Sequence, residues 1–204
     1  MRITAINGSP RQNGNTSKLL EAVLEPLAKS GWETEIIQLG GKKIAGCKAC
    51  GQCQAHKNRK CVFANDVFNE VFEKMAAADA ILIGSPTYFA DITAETKALI
   101  DRAGMVAMAN DCMFAGKIGV AVSAVRRAGS LRSIDSINHL YLISQMIIPG
   151  STYWNMGYGL EEGAVSSDAE ALENMNQLGQ AIDWLAKAAA NAPAPYPVRK
   201  EGEN

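Results

Sequence analysis

The sequence predicts one α/β domain with a mainly parallel sheet that helices cover on both faces. Segments with strand and helix patterns alternate about five times along the 204 residues. Two of the strand segments, residues 80–84 (AILIG) and 117–123 (KIGVAVS), are almost continuously apolar, as strands buried on both faces are. The sequence has no internal repeat and no second-domain linker, and a chain of this length buries a full core without disulfide bonds.

Apolar residues at strand or helix spacing define the individual elements. Strands are predicted at residues 2–7, 34–39, 80–84, 117–123 and from Ile147 onward. Helices are predicted at residues 19–27, 68–75, 93–103, 130–146 and 172–186. Asn65 and Thr93 are the expected N-caps of the second and third helices, and Ser167 with Glu170 forms a capping box before the last helix.

Composition and charge exclude several classes of protein. Apolar residues make up 48% of the chain and charged residues 20%, which is typical of globular proteins. The 20 Lys and Arg residues and 21 Asp and Glu residues leave a net charge of −1, so no nucleic-acid partner is expected. No apolar run is long enough for a membrane span, and the chain opens without a signal-like segment. We therefore expect a cytoplasmic protein with no membrane partner.

Residues 40–65 form a connection too long to be ordinary, and loops of this length are usually functional. They contain four of the five cysteines, which are Cys47, Cys50, Cys53 and Cys61. We expect one domain over residues 1–190 that carries this cysteine-rich loop as an insertion. A flexible tail, first proline-rich and then charged, is expected at residues 191–204.

The turn after the first strand has the composition of an anion site. Residues 8–17 contain two glycines, small polar side chains, one arginine and a helix start, and backbone N–H groups at a helix start bind phosphate. The side chains expected to contribute are Ser9, Arg11, Asn15, Thr16 and Ser17. The turn is not a Walker loop, because Asn15 stands where lysine is required. It is not a G-x-G-x-x-G dinucleotide turn either, because Pro10 replaces the second glycine.

Three motifs together resemble those of the flavodoxin-like NAD(P)H-dependent FMN reductases. They are Gly8-Ser9-Pro10-Arg11 with Gly14-Asn15-Thr16, Gly84-Ser85-Pro86-Thr87-Tyr88-Phe89, and Lys97 with Asp101-Arg102. The resemblance covers about residues 1–190. It implies a flavodoxin-like fold, which is a doubly wound five-stranded parallel sheet of order 2-1-3-4-5 in a three-layer sandwich. It also implies bound FMN, with the phosphate on the first turn.

The second and third loops fit the flavin ring of such a cofactor. The isoalloxazine needs apolar or aromatic faces and hydrogen bonds at its rim. The residues expected beside it are Pro86, Thr87, Tyr88 and Phe89, which follow a buried strand, and Ser123 and Arg126, which approach the other edge.

The cysteine spacing C-x2-C-x2-C-x7-C resembles the compact motif of iron–sulfur flavoproteins. Four converging thiolates can hold a 4Fe–4S cube. Three interpretations stay open for Cys47, Cys50, Cys53 and Cys61. They are a 4Fe–4S cluster, a structural zinc in which His56 could replace one thiolate, and a thiol group without metal.

The sequence therefore predicts an FMN-dependent NAD(P)H oxidoreductase with a small-molecule or protein electron acceptor, and electrons passing through a cluster if one is bound. The alternative is a flavodoxin-type electron carrier without turnover of its own, whose cysteine loop binds zinc or no metal. Residues 150–163 are rich in aromatic residues and glycine and lack core periodicity. We expect the chain to assemble into a homodimer or homotetramer, with this segment and the cysteine loop helping to form the contacts between subunits.

Overall fold

Strands and helices alternate along the chain. A computed structural model describes residues 1–199, and residues 200–204 of the predicted tail lie outside that part. The strands are β1 (Arg2–Asn7), β2 (Glu33–Gln38), β3 (Ala80–Pro86), β4 (Ile118–Val125) and β5 (Met156–Tyr158). The α-helices are α1 (Asn15–Lys29), α2 (Gln52–His56), α3 (Phe68–Ala77), α4 (Ala94–Ala109), α5 (Ser130–Ile143) and α6 (Ala169–Ala190), with a 3₁₀ turn at Ala164–Ser167.

The five strands form one parallel sheet in the order β2-β1-β3-β4-β5. Helices α1 and α6 pack on one face of the sheet, and α3, α4 and α5 pack on the other. The three-layer, flavodoxin-like architecture and its strand order are thereby confirmed.

The apolar run of β3 follows from burial on both faces. Ile81 and Ile83 enter the core beneath α3, α4 and α5, whereas Ala80 and Leu82 enter the core beneath α1 and α6. All four side chains are fully buried. Successive residues of a strand point to opposite faces, so a strand between two cores needs apolar residues at every position.

The prediction of a fifth strand at Ile147 is wrong. Ile147 makes one isolated parallel bridge to Ile118, and β5 lies at Met156–Tyr158, where it pairs with the end of β4. Pro149 has no N–H group to donate to a ladder, so pairing stops soon after Ile147 and the chain loops outward before it rejoins the sheet.

Two predicted helix caps are also wrong. Val67, not Asn65, is the N-cap of α3, and the Asp66 carboxylate accepts the Phe68 N–H at 3.1 Å. The capping box is replaced by Asp168, whose carboxylate accepts the Ala171 N–H at 3.1 Å.

The described part of the predicted tail lies against the domain. The Gln145 side chain binds both polar groups of the Arg199 backbone, at 2.8 and 2.9 Å. Within residues 1–199, no helix is both long enough and apolar enough to cross a membrane.

The carboxyl end of the sheet is packed too closely for side chains at two glycines. A Cβ atom at Gly40 would lie 2.2 Å from the carbonyl carbon of Ser9. A Cβ atom at Gly8 would lie 2.1 Å from Thr96 Oγ1 and 2.9 Å from the carbonyl oxygen of Gly84. These contacts bring the turn after β1 against the ends of β2 and β3.

We expect Gly40→Ala to lower the free energy of unfolding by about 1–3 kcal/mol, because backbone atoms must move to admit the methyl group. Gly46→Ala is the matched control, since no atom lies within 4 Å of a Cβ there. It should change stability by less than about 0.5 kcal/mol. Urea titration followed by circular dichroism measures both variants, and equal losses would contradict the close packing.

Candidate functional site

A pocket opens where β1, β3, β4 and β5 end, and we call it the carboxyl-edge pocket. Ligands of open parallel sheets bind at this edge. Its lining residues are Ser9, Arg11, Asn15, Thr16, Pro86, Thr87, Tyr88, Ala124, Val125, Arg126, Gly159 and Leu160. The structure thus brings together most of the residues that the sequence assigned to a flavin site, from three separate loops. Gly159 and Leu160 were not predicted, because they follow the misplaced fifth strand.

A buried amide holds the first turn in shape. Asn7 is fully buried, and its Oδ1 accepts the Ser9 N–H at 3.1 Å while its Nδ2 donates to Gln38 Oε1 at 2.8 Å. Gln38 in turn donates to the carbonyl oxygens of Ser9 and Gly40, at 2.6 and 2.8 Å. The Ser9 hydroxyl accepts the Arg11 N–H at 3.2 Å. The backbone of the turn is therefore fixed by side chains from the ends of two adjacent strands.

The start of α1 faces this pocket without a side-chain cap. Its N-cap is Gly14, which has no side chain to offer. The uncapped N–H groups of a first helical turn attract anions. The Asn15 side chain is engaged elsewhere, because it donates to the Glu161 carbonyl oxygen at 3.0 Å and accepts the Val165 N–H at 3.1 Å. Asn15 therefore ties α1 to the segment after β5.

Three residues predicted for the flavin site do not line the pocket. The Ser17 hydroxyl donates to Glu21 Oε1 at 3.1 Å, one turn further along α1. Ser123 is fully buried in β4 and shares a hydrogen bond of 3.2 Å with the Thr87 hydroxyl. Phe89 is fully exposed at the tip of its loop, with a positive φ of 46°. Ser123 supports the pocket wall from behind through Thr87, whereas Ser17 bonds along α1.

The second loop is held by Asp91. The Tyr88 N–H donates to the Asp91 carbonyl oxygen at 2.8 Å and closes the turn. The carboxylate accepts hydrogen bonds from the Ser136 hydroxyl at 2.7 Å and the Ile92 N–H at 2.8 Å, and Arg132 lies 3.2 Å away. Partial burial favours a higher pKa for Asp91, but the hydrogen bonds from Ser136 and Ile92 and the charge of Arg132 together lower it. Asp91 therefore anchors the loop as a carboxylate.

The four clustered cysteines line a second pocket, which we call the cysteine pocket. One side of it is formed by residues 46–63, which we call the cysteine segment. The other side is formed by Arg102, Met105 and Val106 of α4. All four thiols are free of disulfide bonds. Within residues 1–199, no group of three or more metal-ligating side chains stands in a ready-made ligand arrangement. His56, the alternative zinc ligand, is exposed and does not line the pocket.

The backbone above the cysteine pocket is tightly turned. Ala49, Gly51, Lys57 and Arg59 all have positive φ, and the short helix α2 lies within the segment that was predicted to be loop. The Ala49 N–H donates to Cys47 Sγ at 3.4 Å. Backbone N–H groups directed at sulfur are a feature of iron–sulfur sites.

A buried ion pair holds the cysteine pocket together. The side chains of Arg102 and Asp66 are both 2% exposed, and Nη1 lies 2.5 Å from Asp66 Oδ2. The guanidinium also donates to the carbonyl oxygens of Ala45 at 3.3 Å and Phe63 at 2.6 Å, and it stacks 4.1 Å from the ring centroid of Phe68. Arg102 thus binds both ends of the cysteine segment. Its Nε is buried and has no partner among the described residues.

Two asparagines add further attachments. Asn69 binds both polar groups of the Cys61 backbone, at 2.8 and 2.9 Å. Asn110 accepts the Arg59 N–H at 2.9 Å and donates to Val106 O in α4. The cysteine segment is therefore bound to the C-terminal half of α4 and to the start of α3.

Comparison with known proteins identifies the family. Residues 1–161 match the family described as NADPH-dependent FMN reductase. The chain belongs to this family. It is 34% identical to an iron–sulfur flavoprotein of Methanocaldococcus jannaschii over 194 residues, covering 92% of this chain and 98% of the relative. It is 37% identical to an iron–sulfur flavoprotein of Methanosarcina thermophila over 152 residues, covering 74% of this chain and 78% of the relative.

A solved structure agrees with the fold. The structure of RosB with bound 8-demethyl-8-formylriboflavin-5′-phosphate has a TM-score of 0.71 and 14% sequence identity, covering 95% of this chain and 82% of RosB. At this identity the likeness concerns the fold alone. Membership of the FMN reductase family supports FMN binding and FMN-dependent electron transfer by this chain.

The sequence motif Lys97–Asp101–Arg102 divides between two roles. Lys97 and Asp101 form an exposed ion pair on α4, whereas Arg102 turns inward. Arg102 occurs at helical spacing with the buried residues Leu99 and Val106, and this position on an apolar face could have revealed a buried arginine. Asp66, Asn69 and Asn110 gave no such signal, because their partners are distant in sequence.

We expect the stability contribution of Asp66 to disappear in acid. Burial favours a higher pKa for this carboxyl, but the hydrogen bonds from the Ala45 N–H, Arg102 and the Phe68 N–H together lower its pKa below the ordinary value. A carboxyl with a lowered folded-state pKa stabilises the protein above its unfolded-state pKa of about 3.9, and this contribution is lost as the pH falls through the folded-state pKa.

Asp66→Asn should therefore cost about 3–5 kcal/mol near neutral pH, because it leaves a buried arginine unpaired. The difference from the parent protein should shrink below about pH 4. Urea titrations across the pH range measure it. Asp101→Asn, which breaks the exposed pair on the same helix, is the control and should cost under about 1 kcal/mol. A difference for Asp66→Asn that is independent of pH would contradict the assignment.

Proposed function

We propose that this chain is an FMN-dependent oxidoreductase that takes reducing equivalents from NADPH or NADH and passes electrons through a 4Fe–4S cluster to an acceptor. The observation that carries the proposal is the presence of two pockets on one flavodoxin-like domain. One lies at the carboxyl edge of the sheet, and the other is lined by four free cysteines. Membership of the FMN reductase family and similarity to iron–sulfur flavoproteins support it.

The first turn suits the phosphate of FMN. The uncapped start of α1 offers backbone N–H groups, and Thr16 and Ser9 add hydroxyl groups at the same pocket. Arg11 is exposed and has no ion-pair partner among the described residues, so its charge is free for a phosphate. Because the Asn15 amide is already bonded, the proposal assigns phosphate binding to Ser9, Arg11 and Thr16 and not to the Asn15 side chain.

The second and third loops suit the flavin ring. Pro86, Thr87 and Tyr88 form one wall of the carboxyl-edge pocket, and Arg126 stands on the opposite loop. FMN held by these loops would supply hydride chemistry toward a reduced nicotinamide and electron-transfer chemistry toward the acceptor. The chain itself contributes an apolar and aromatic wall, a rigid loop anchored by Asp91, and the positive charge of Arg126.

The cysteine pocket suits a 4Fe–4S cluster in its donor chemistry. It offers four thiols, one backbone N–H that already points at sulfur, and a buried guanidinium Nε without a partner. These are the groups that hold a cluster and adjust its potential. A bound cluster would carry single electrons between the flavin and the acceptor.

Assembly into a homodimer or homotetramer belongs to the same proposal. Tyr153, Trp154, Tyr158 and Leu160 are each about half exposed in the segment predicted to make contacts between subunits. Exposed apolar residues that lie together commonly mark interfaces. The cytoplasmic location and the lack of a nucleic-acid partner stay predictions from the sequence.

Anaerobic mixing with reduced nicotinamides tests the oxidoreductase activity. We expect NADPH or NADH to bleach the flavin absorbance of the purified protein rapidly, because hydride transfer reduces the ring. Stopped-flow absorbance measures the rate. A flavin that stays oxidised with both nucleotides, yet is reduced by dithionite, would indicate a flavodoxin-type electron carrier instead.

Replacing Arg11 and Thr16 together by alanine should weaken FMN binding by at least tenfold, because one charge-assisted and one neutral hydrogen bond to the phosphate are lost. Fluorescence titration of the apoprotein with FMN measures the dissociation constant. Lys18→Ala is the control, since Lys18 lies on α1, pairs with Glu21 and does not line the pocket. Unchanged affinity in the double variant would place the phosphate elsewhere.

Iron analysis tests the cluster. Anaerobically purified protein should contain about four irons and four sulfides per chain, and its reduced form should give a cluster EPR signal. Cys50→Ser should abolish that signal while FMN stays bound. Cys112→Ser is the matched control, because Cys112 lies outside the cysteine pocket. One zinc per chain without iron would establish the structural-zinc interpretation. Absence of both metals after reconstitution would leave a flavoprotein with free thiols.

A further inference from the structure

We infer that Arg102 is the positioning residue of the cysteine pocket and that its unpartnered Nε–H donates to a cluster sulfur, which raises the reduction potential of the cluster. The inference rests on the proposed function, because it requires a cluster on the four cysteines. It concerns a residue that is not itself a ligand.

The bonding of Arg102 leaves its Nε–H and one of its two Nη2–H donors unused. A guanidinium has five N–H donors in a fixed plane. Its Nη1 binds Asp66 and the Ala45 carbonyl oxygen, and its Nη2 binds the Phe63 carbonyl oxygen. The Nε is buried and has no partner among residues 1–199. Buried donors are rarely left unpaired, so an unpaired one calls for an acceptor in the loaded protein.

The place of Arg102 points to sulfur as that acceptor. Arg102 lines the cysteine pocket together with Cys47, Cys50, Cys53 and Cys61. The Phe68 ring covers the face of its guanidinium at 4.1 Å, and Asp66 and two carbonyl groups occupy its Nη atoms. Beyond these groups, the pocket is lined by glycine, alanine, valine and methionine residues, by Phe63, by Lys48, which can only donate hydrogen bonds, and by the thiols. The cysteine sulfurs, and a cluster that they hold, are therefore the remaining side-chain acceptors in the pocket.

The planar fork explains why the residue is arginine. One guanidinium reaches the chain before the first cysteine, through Ala45, and the chain after the last, through Phe63. Lysine has a single point of charge and cannot bind several acceptors in one plane. Arg102 therefore holds the two ends of the cysteine segment together. Its Nε–H belongs to the same rigid group and is available to a cluster sulfur.

Arg102 would act on the cluster mainly through its hydrogen bond. Reduction adds an electron to the cluster, and hydrogen bonds to sulfur favour the reduced form. The Asp66 carboxylate balances the charge of Arg102. Residues 40–65 contain no acidic residue that could do so. The pair is close to neutral, so the Nε–H bond is the part of Arg102 that the cluster would feel most directly.

The test is an EPR-monitored redox titration of the anaerobically reconstituted full chain. In Arg102→Gln, the reduced-to-oxidised ratio of the cluster at a fixed solution potential should fall at least tenfold, which is about 59 mV to lower potential for one electron. Arg59→Gln is the matched control, because Arg59 is an exposed arginine of the cysteine segment that is held by its backbone. It should leave the ratio within about twofold of the parent.

A second variant keeps the test decisive if Arg102→Gln does not fold. The double variant Asp66→Asn/Arg102→Gln removes both charges, so no unpaired buried charge remains. Its cluster should also have a lower potential than that of the parent. A cluster of unchanged potential in either loaded variant would overturn the inference. A parent chain that binds flavin but takes up no iron would refute the proposed cluster, and the inference with it.

Discussion

Burial of the central strands on both faces is the constraint on which the rest of the structure depends. β3 supplies alternate side chains to two separate cores, one beneath α1 and α6 and the other beneath α3, α4 and α5. Polar side chains cannot enter either core without a partner. The side chains that can bind a polar ligand are therefore found in the loops at the strand ends and not along the buried strands. Parallel strands all end at the same edge, so the loops after β1, β3 and β4 meet there and form one pocket.

Close backbone packing at this edge gives the pocket a fixed shape. Gly8 and Gly40 leave no room for side chains, so the first turn lies directly against the ends of β2 and β3. Asn7 and Gln38 then bind the carbonyl and N–H groups of the turn, which could not remain unpaired in a buried position. The start of α1 is left uncapped because Gly14 has no side chain to offer. These three features leave the uncapped N–H groups of α1 beside the pocket, without a dedicated cluster of charges.

Helix α4 joins the carboxyl-edge pocket to the cysteine pocket. At its start, the Thr93 hydroxyl donates to the Gly8 carbonyl oxygen at 2.8 Å and so contacts the first turn. Arg102 comes eight residues after Ala94, about 12 Å along the helix, and binds the cysteine segment. The two pockets share no lining residue, because the cysteine segment packs against the C-terminal half of α4 and not at the sheet edge. A helix is a rigid connection, so it fixes the separation of the two sites within the chain.

The sequence by itself determined the fold class, the approximate place of most elements and the edge of the sheet at which the carboxyl-edge pocket lies. Apolar period and uninterrupted apolar runs are local properties, and β3 and β4 show them within a few residues. It could not determine that Ile147 would make only one bridge, since that depends on where Met156 meets β4.

Tertiary structure alone decided the roles of Asn15 and Arg102. Asn15 has the residue type of a phosphate ligand, but its amide binds groups 146 and 150 positions away. Arg102 forms its ion pair with Asp66, 36 positions earlier. A side chain's partner across the fold has no signature in the neighbouring sequence, because it is chosen by the packing of elements and not by local propensity.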